Sequence, residues 1–379
     1  MRAMSSCRPA SQAISSPPKP WRGCPPPSHR ATEGRSMRAE QDEASTLLDG
    51  LTLDTLLKAL ARGRGYESAL RDPPGRRGWS DEAPASLSFS QLDEKIDRLA
   101  RLLAINRAQP GAGVAILAPL GPEAIISILA CLRAGLSPLM LPLHGPEPEL
   151  LRLMEEAGAV MALGIGRVGP LNPVMTLRDL AVRAFGVRFV GGFGPDVPDG
   201  VAALDSLLPG GTLHPLPEES LRPGLQVADP VSLAGPLPVS ERDLLRVSLE
   251  ISRALKPLSS SRIVTTLVGG DLAALASGPG MAMLAGVELL PMGLFSLGDL
   301  QACMAGGRKV HLVLPGAMEA ALAHSRLASH PALSSLVFVH RPAENRALPA
   351  VDRPDIAVVD IEVRSAAEIA VARRQVQPQ

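Results

Sequence analysis

Between Leu87 and Leu163 the apolar positions change period several times, and each change marks an element. After Ser90 and Asp93, which fit a capping box, Leu92, Ile96, Leu99, Ala100 and Leu103 recur at helical spacing and predict an amphipathic helix. The run Val114-Ala115-Ile116-Leu117 is short and apolar, which predicts a buried strand. Pro122 then stands where a helix begins and Gly135 just beyond its end. The alternation continues with a strand over 138–143, a helix over 150–157 and a strand over 159–163. A strand is predicted at 187–190 within a stretch, 168–238, that is richer in Gly and Pro and less periodic.

A second alternating array follows. Helices are predicted over 241–254, 271–285, 297–304 and 317–328, with strands over 263–267, 287–290, 309–314 and 336–340. Strand–helix alternation at this spacing predicts parallel sheets covered by helices on both faces. The fold class is therefore α/β, with two parallel-sheet lobes flanked by helices. The expected organisation is a leader over 1–45, a first lobe over 46–240, a second over 241–345 and a tail over 346–379. The tail is expected to hold a strand at 356–359 and an Ala-rich helix from Ser365, ending in an unstructured Gln-Val-Gln-Pro-Gln.

Residues 1–36 carry Arg2, Arg8, Lys19, Arg22, Arg30 and Arg35 against the single acid Glu33, with seven prolines between Pro9 and Pro27. Those prolines forbid the amphipathic helix of a transit peptide, so the segment is expected to be a disordered leader, or to lie upstream of a start at Met37. Composition narrows the remaining classes. Lys and Arg total 38, as do Asp and Glu, so no net charge favours nucleic acid or an anionic membrane. Six Phe, two Trp and one Tyr leave few platforms for base stacking, and nucleic acid is not an expected partner. No apolar run reaches the ~20 residues of a membrane span. Cys7, Cys24, Cys131 and Cys303 are too far apart for zinc-ligand spacing or a disulfide framework, which fits a reducing, cytoplasmic setting.

Short segments in order carry a further signal. These are Leu87-Ser88-Phe89 before the first helix, Pro110-Gly111 before Val114, Ala130-Cys131-Leu132-Arg133-Ala134-Gly135, and Pro142-Leu143. Leu284-Ala285-Gly286, Val313-Leu314-Pro315 and Ser334-Ser335-Leu336 follow. Together, over roughly residues 50–345, they resemble the adenylate-forming superfamily of acyl-CoA synthetases, luciferases and the adenylation domains of peptide synthetases. The resemblance implies the fold of that superfamily's large N-terminal domain. It also implies an activity, ligation of a carboxylic acid to a thiol through an acyl-adenylate, with ATP and Mg²⁺ as cofactors.

That family places a loop of the form TSGTTGxPKG before a Ser-His pair, so that backbone N–H groups, hydroxyls and a lysine hold the ATP phosphates. The corresponding stretch here, Leu225 to Ser240, reads LQVADPVSLAGPLPVS, with one Gly, no Lys and no Thr. If each charge-assisted phosphate contact contributes about 1.5–3 kcal/mol, losing three costs about 5–9 kcal/mol, or roughly three to six orders of magnitude in binding. The later motifs, YGxTE and those of the small domain with its catalytic Lys, would lie beyond the point where the chain stops. No catalytic residue and no metal ligand is therefore assigned.

The leading expectation is a degenerate or truncated acyl-CoA-synthetase-like protein that has lost acid activation and binds a ligand or partner. Its ligand would be a carboxylic acid or an acyl-CoA, and a separate complementing chain could supply the missing small domain. The rival expectation is an active acid–thiol ligase with a diverged phosphate loop.

Other motifs carry less. Gly164-Ile165-Gly166-Arg167-Val168-Gly169 has the GxGxxG form of an NAD(P)-binding Rossmann oxidoreductase, but Pro170 and Pro173 stand where its helix should follow, and no acid sits about twenty residues on. A plain loop is the preferred reading. Gly191-Gly192-Phe193-Gly194 is read as a turn, and Ser259-Ser260-Ser261 as loop polarity. His311 and His340 are read as satisfied residues of apolar strands. Gly269, Gly270 and Asp271 follow a predicted parallel strand at its carboxyl end, where open α/β sheets bind ligands, and are the candidate substrate-binding residues. Asp271 equally fits a helix N-cap, which is the preferred reading of that residue.

Overall fold

The computed structural model describes residues 48–106, 108–207, 216, 223–342, 351 and 353–374. The expected leader and the terminal pentapeptide lie outside them. The described chain opens with a helix over Leu53–Arg64, capped by the Thr52 hydroxyl, and a hairpin of β1 (Ser68–Arg71) and β2 (Ser86–Ser88). The helix over Phe89–Ile105 is capped two residues before the predicted box. Ser88 and Gln91 form the capping box, and the predicted apolar face is buried.

β3 (Gly113–Leu117), β4 (Ser137–Met140), β5 (Ala159–Ile165), β6 (Phe189–Phe193) and β7 (Ala202–Ala203) alternate with helices over Pro122–Arg133, Glu147–Glu156 and Pro173–Ala181. Gly135 has φ +74°, the left-handed conformation that ends the Pro122–Arg133 helix. β8 (Leu225–Val227) and β9 (Leu237–Val239) form an antiparallel hairpin. These strands make a seven-stranded sheet in the order β7-β6-β5-β3-β4-β8-β9, parallel apart from β9.

The second array gives β10 (Arg262–Thr265), β11 (Glu288–Pro291), β12 (Val310–Pro315), β13 (Leu333–His340), β14 (Ala357–Ser365) and β15 (Glu368–Arg373). Their eight-stranded sheet has the order β15-β14-β13-β12-β10-β11-β1-β2. Sheet membership therefore does not follow chain order, because β1 and β2, early in the expected first lobe, complete the sheet of the second. Leu70 pairs in parallel with Leu289, and this puts the first hairpin on that edge.

The Ala-rich helix expected from Ser365 is instead the strand β15. Its Ile369 and Val371 alternate along the chain and pair with Val363 and Ile361 of β14, so a two-residue period overrides the helix propensity of the alanines. The helix predicted over 271–285 is broken into Leu272–Leu275, a π turn over Ala276–Gly280 and Met281–Ala285. Pro279 has no N–H for the helical ladder, and the Ser248 hydroxyl donates at 3.0 Å to the Ala276 carbonyl, which also accepts from the Met281 N–H. The 317–328 helix shortens to Glu319–Ala323.

Every residue of the Pro122–Arg133 helix except Glu123 is buried, as expected of a helix apolar all round and enclosed in the core. It packs in one large cluster with Leu92, Ile96, Leu99, Leu244, Ile251 and Met281. Among the described residues, no helix is long and apolar enough to cross a membrane.

Candidate functional site

The hairpin β8–β9 leaves the carboxyl end of β8, beside β4, and its loop is the stretch in which a phosphate loop was sought. Asp229 organises it. The buried Asp229 carboxylate oxygen Oδ1 accepts from the backbone N–H of Val231 at 2.8 Å and of Ser232 at 2.7 Å, and the Asp229 N–H donates to Ala234 at 2.8 Å. Leu233 and Gly235 take positive φ values of +59° and +125° to close the turn. From the helix over Glu147–Glu156, the Arg152 guanidinium donates to the carbonyls of Leu233 at 2.8 Å and Gly235 at 3.1 Å. Two N–H groups that could cradle an anion are thus already held by the loop's own carboxylate.

Across from the loop is the turn after β10. A side chain at Gly269 would come within 3.1 Å of Pro230, and one at Gly270 within 2.3 Å of the Met140 Cβ, so close approach requires glycine at both. Asp271 is fully buried. Its Oδ1 accepts from the Ala274 N–H at 2.9 Å, capping the short helix, and its Oδ2 accepts from Arg341 at 2.5 Å. Burial pushes this carboxyl above the ordinary aspartate range, with Asp229 acting in the same direction and Arg341 opposing.

The assembled groups are two carboxylates, Asp229 and Asp271, and two guanidiniums, Arg341, bound to Asp271, and Arg152, bound to the loop carbonyls and to Glu149 and Glu156. Both guanidiniums are already paired with carboxylates, whereas a triphosphate needs surplus positive charge. ATP phosphates therefore do not fit this loop, whose N–H donors are occupied and which carries no lysine. Among the described residues, no group of three or more His, Cys, Asp or Glu could hold a metal ion.

The Gly164–Gly169 motif is a packing device. A Cβ at Gly164 would come within 2.9 Å of the Leu177 side chain, the Gly166 N–H donates to the Phe193 carbonyl at 2.8 Å, and the Gly169 N–H donates to the Trp79 carbonyl at 2.7 Å. A helix does follow, contrary to expectation, but it starts at Pro173 with Asn172 as cap, too far on to present its N-terminus to a pyrophosphate held by these glycines. His311 is buried between Ser335 at 2.7 Å and Ser261 at 3.1 Å, and burial lowers its pKa to about 4. Ser261 is thus more than loop polarity. His340 contacts Asp360 at 2.7 Å.

Sequence reasoning reached the turn at Gly269–Asp271 but missed Asp229, Arg152 and Arg341. The available signals were an Asp-Pro pair inside the diverged loop and an arginine one residue beyond the predicted 336–340 strand.

Comparison with known proteins agrees with this architecture. Residues 66–184 match the family described as AMP-binding enzyme. Salicyl-AMP ligase / salicyl-S-ArCP synthetase of Mycobacterium tuberculosis is 35% identical over 108 residues, 28% of this chain and 18% of that protein. Among solved structures, the apo structure of Mycobacterium smegmatis MbtA is similar with a TM-score of 0.67 at 18% identity, covering 92% of this chain and 62% of that one. The Klebsiella oxytoca NpsA N-terminal subdomain, solved with 3-hydroxybenzoyl-AMSN, is similar with a TM-score of 0.62 at 17% identity, covering 86% and 76%. The chain thus spans less than two thirds of the length of MbtA, and its aligned stretch is a small part of the salicyl-AMP ligase. Residues 66–184 thus carry the match to the AMP-binding enzyme family, and the two-sheet fold built around them is similar to that of the N-terminal domain of adenylate-forming enzymes.

Proposed function

We propose that this protein has lost ATP-dependent acid activation and keeps a binding role within the adenylate-forming fold. The observation that carries the reading is the occupation of the Val231 and Ser232 N–H groups by the Asp229 carboxylate. A phosphate entering there would have to displace a covalently tethered anion and meet the charge of Asp271 as well.

The ligand proposed is a carboxylic acid or its acyl-CoA, seated along the Gly269–Gly270 backbone with Arg341 as counter-ion and Asp271 fixing that arginine. The buried Nε of Arg341 has no hydrogen-bond partner, which supports a carboxylate acceptor there. A cytoplasmic setting is supported by Cys131 and Cys303, both buried free thiols. A separate chain carrying a small domain is the macromolecular partner this reading admits.

Calorimetry of the full chain with MgATP, with a panel of aromatic and aliphatic carboxylates and with acyl-CoAs tests the proposal. Binding of an acid or acyl-CoA without MgATP binding is expected, with Arg341→Gln weakening the acid at least tenfold. MgATP binding in the micromolar range would instead support the active-ligase reading.

A further inference from the structure

A second charged cluster lies at the opposite end of the eight-stranded sheet, where β10 and β11 begin. Its centre is Glu288, whose side chain is 1% exposed. Glu288 Oε1 accepts from Ser68 Oγ at 2.6 Å and Arg71 Nε at 2.8 Å. Oε2 takes Arg262 at 3.0 Å and Arg308 at 3.2 Å. Three guanidiniums converge on one carboxylate. The next acid, Glu67, lies close enough to Arg308 to feel its charge but is bound by Arg64. Four guanidiniums therefore face two carboxylates.

The surplus is directed outward. Arg262 is nearly buried, with Nη1 donating to the Cys303 carbonyl at 3.2 Å and its buried Nε without a partner. Arg71 and Arg308 have side chains 43% and 45% exposed. Arg71 spends only Nε on Glu288 and Arg308 only Nη1, so the remaining N–H groups of both forks are not used on the carboxylate they share. Burial disfavours the charge on Arg262, Glu288 favours it, and the neighbouring Arg308 and Arg71 again disfavour it, so the cations repel one another. An anion bridging Arg71 and Arg308 would relieve that repulsion.

We propose that Arg71 and Arg308, backed by Arg262 and Glu288, form a binding site for a tetrahedral oxyanion, a phosphate free or as a small phosphomonoester. A dianion matches the surplus, and its oxygens can accept from both forks at once. The site is separate from the Asp229 loop and does not depend on the fate of the adenylating chemistry.

The test is titration calorimetry of the full chain with inorganic phosphate at pH 7.5 and constant ionic strength, chloride replacing phosphate in the control. One site is expected, weakened roughly tenfold by Arg71→Gln and by Arg308→Gln and lost in the double variant, whereas Arg364→Gln leaves it unchanged. Arg308→Lys, which keeps the charge but not the fork and is the milder change should a glutamine variant fail to fold, is expected to bind with intermediate affinity. Glycerol phosphate binding as tightly as phosphate identifies the ester as a ligand, and binding of inorganic phosphate alone restricts the site to the free ion. No heat beyond the chloride control, or equal affinity in wild type and the double variant, overturns the proposal.

Discussion

Replacing Asp229 by Ala removes the acceptor that holds the loop between β8 and β9 closed. Two charge-assisted bonds are lost, at 2.8 and 2.7 Å. A hydrogen bond to a charged group contributes about 1.5–3 kcal/mol, but Val231 and Ser232 are exposed and water replaces part of the loss, so about 1–3 kcal/mol in all is expected. Arg152 still holds the Leu233 and Gly235 carbonyls, so the change should be local and not global. Amide hydrogen exchange reads it directly. The Val231 and Ser232 amides are expected to exchange about ten- to a hundredfold faster in Asp229→Ala, because each 1.4 kcal/mol is a factor of ten. Asp229→Asn, which keeps a neutral Oδ1, should lie between the two. Unchanged protection at both amides in Asp229→Ala would refute the reasoning that the carboxylate fills the loop.

Three further perturbations probe the scaffold. His311 is neutral in the fold, with its pKa lowered by burial from 6.5 to about 4. The unfolded chain binds the extra proton between those values, so this contribution to stability is complete above pH 6.5 and falls as pH drops toward 4, by about 2 kcal/mol at pH 5. Urea denaturation should show that loss in wild type but not in His311→Gln. Arg76 is 1% exposed and pairs with Asp72, Glu82 and Glu123, so Arg76→Gln should cost about 3–5 kcal/mol at pH 7.5. That cost should shrink below pH 6, because burial pushes Asp72 up to about 6 even beside Arg76; a cost independent of pH would contradict it. Gly270→Ala should destabilise by about 2–3 kcal/mol by thermal unfolding, since its Cβ would meet the Met140 Cβ at 2.3 Å, and an unchanged Tm would show that the turn has room to spare.

Periodicity located elements well wherever local pattern and tertiary packing agree. The Leu92–Leu103 face and the Leu297–Met304 helix are examples, because the residues that bury themselves also repeat at the helical period. It failed where a long-range partner decides. β15 is a strand only because β14 lies beside it, and β1 belongs to the second sheet only because Leu70 pairs with Leu289 about two hundred residues away. At the candidate site, the turn at Gly269–Asp271 was legible from its place after a strand. The Asp271–Arg341 pair was not, since the two are brought together by β10 and β13 on either side of β12. Loss of Lys and Thr from the 225–240 stretch was visible in the sequence. The Asp229-Pro230 pair signalled a turn, but that the Asp229 carboxylate takes both the Val231 and Ser232 N–H groups is set by the backbone geometry of the closed loop.

The central claim is that this adenylate-forming fold no longer activates acids. Acid-dependent exchange of labelled pyrophosphate into ATP, measured with Mg²⁺ over a panel of carboxylic acids, tests it most directly. The account predicts no exchange above the enzyme-free background for any acid, and clear acid-dependent exchange would contradict it.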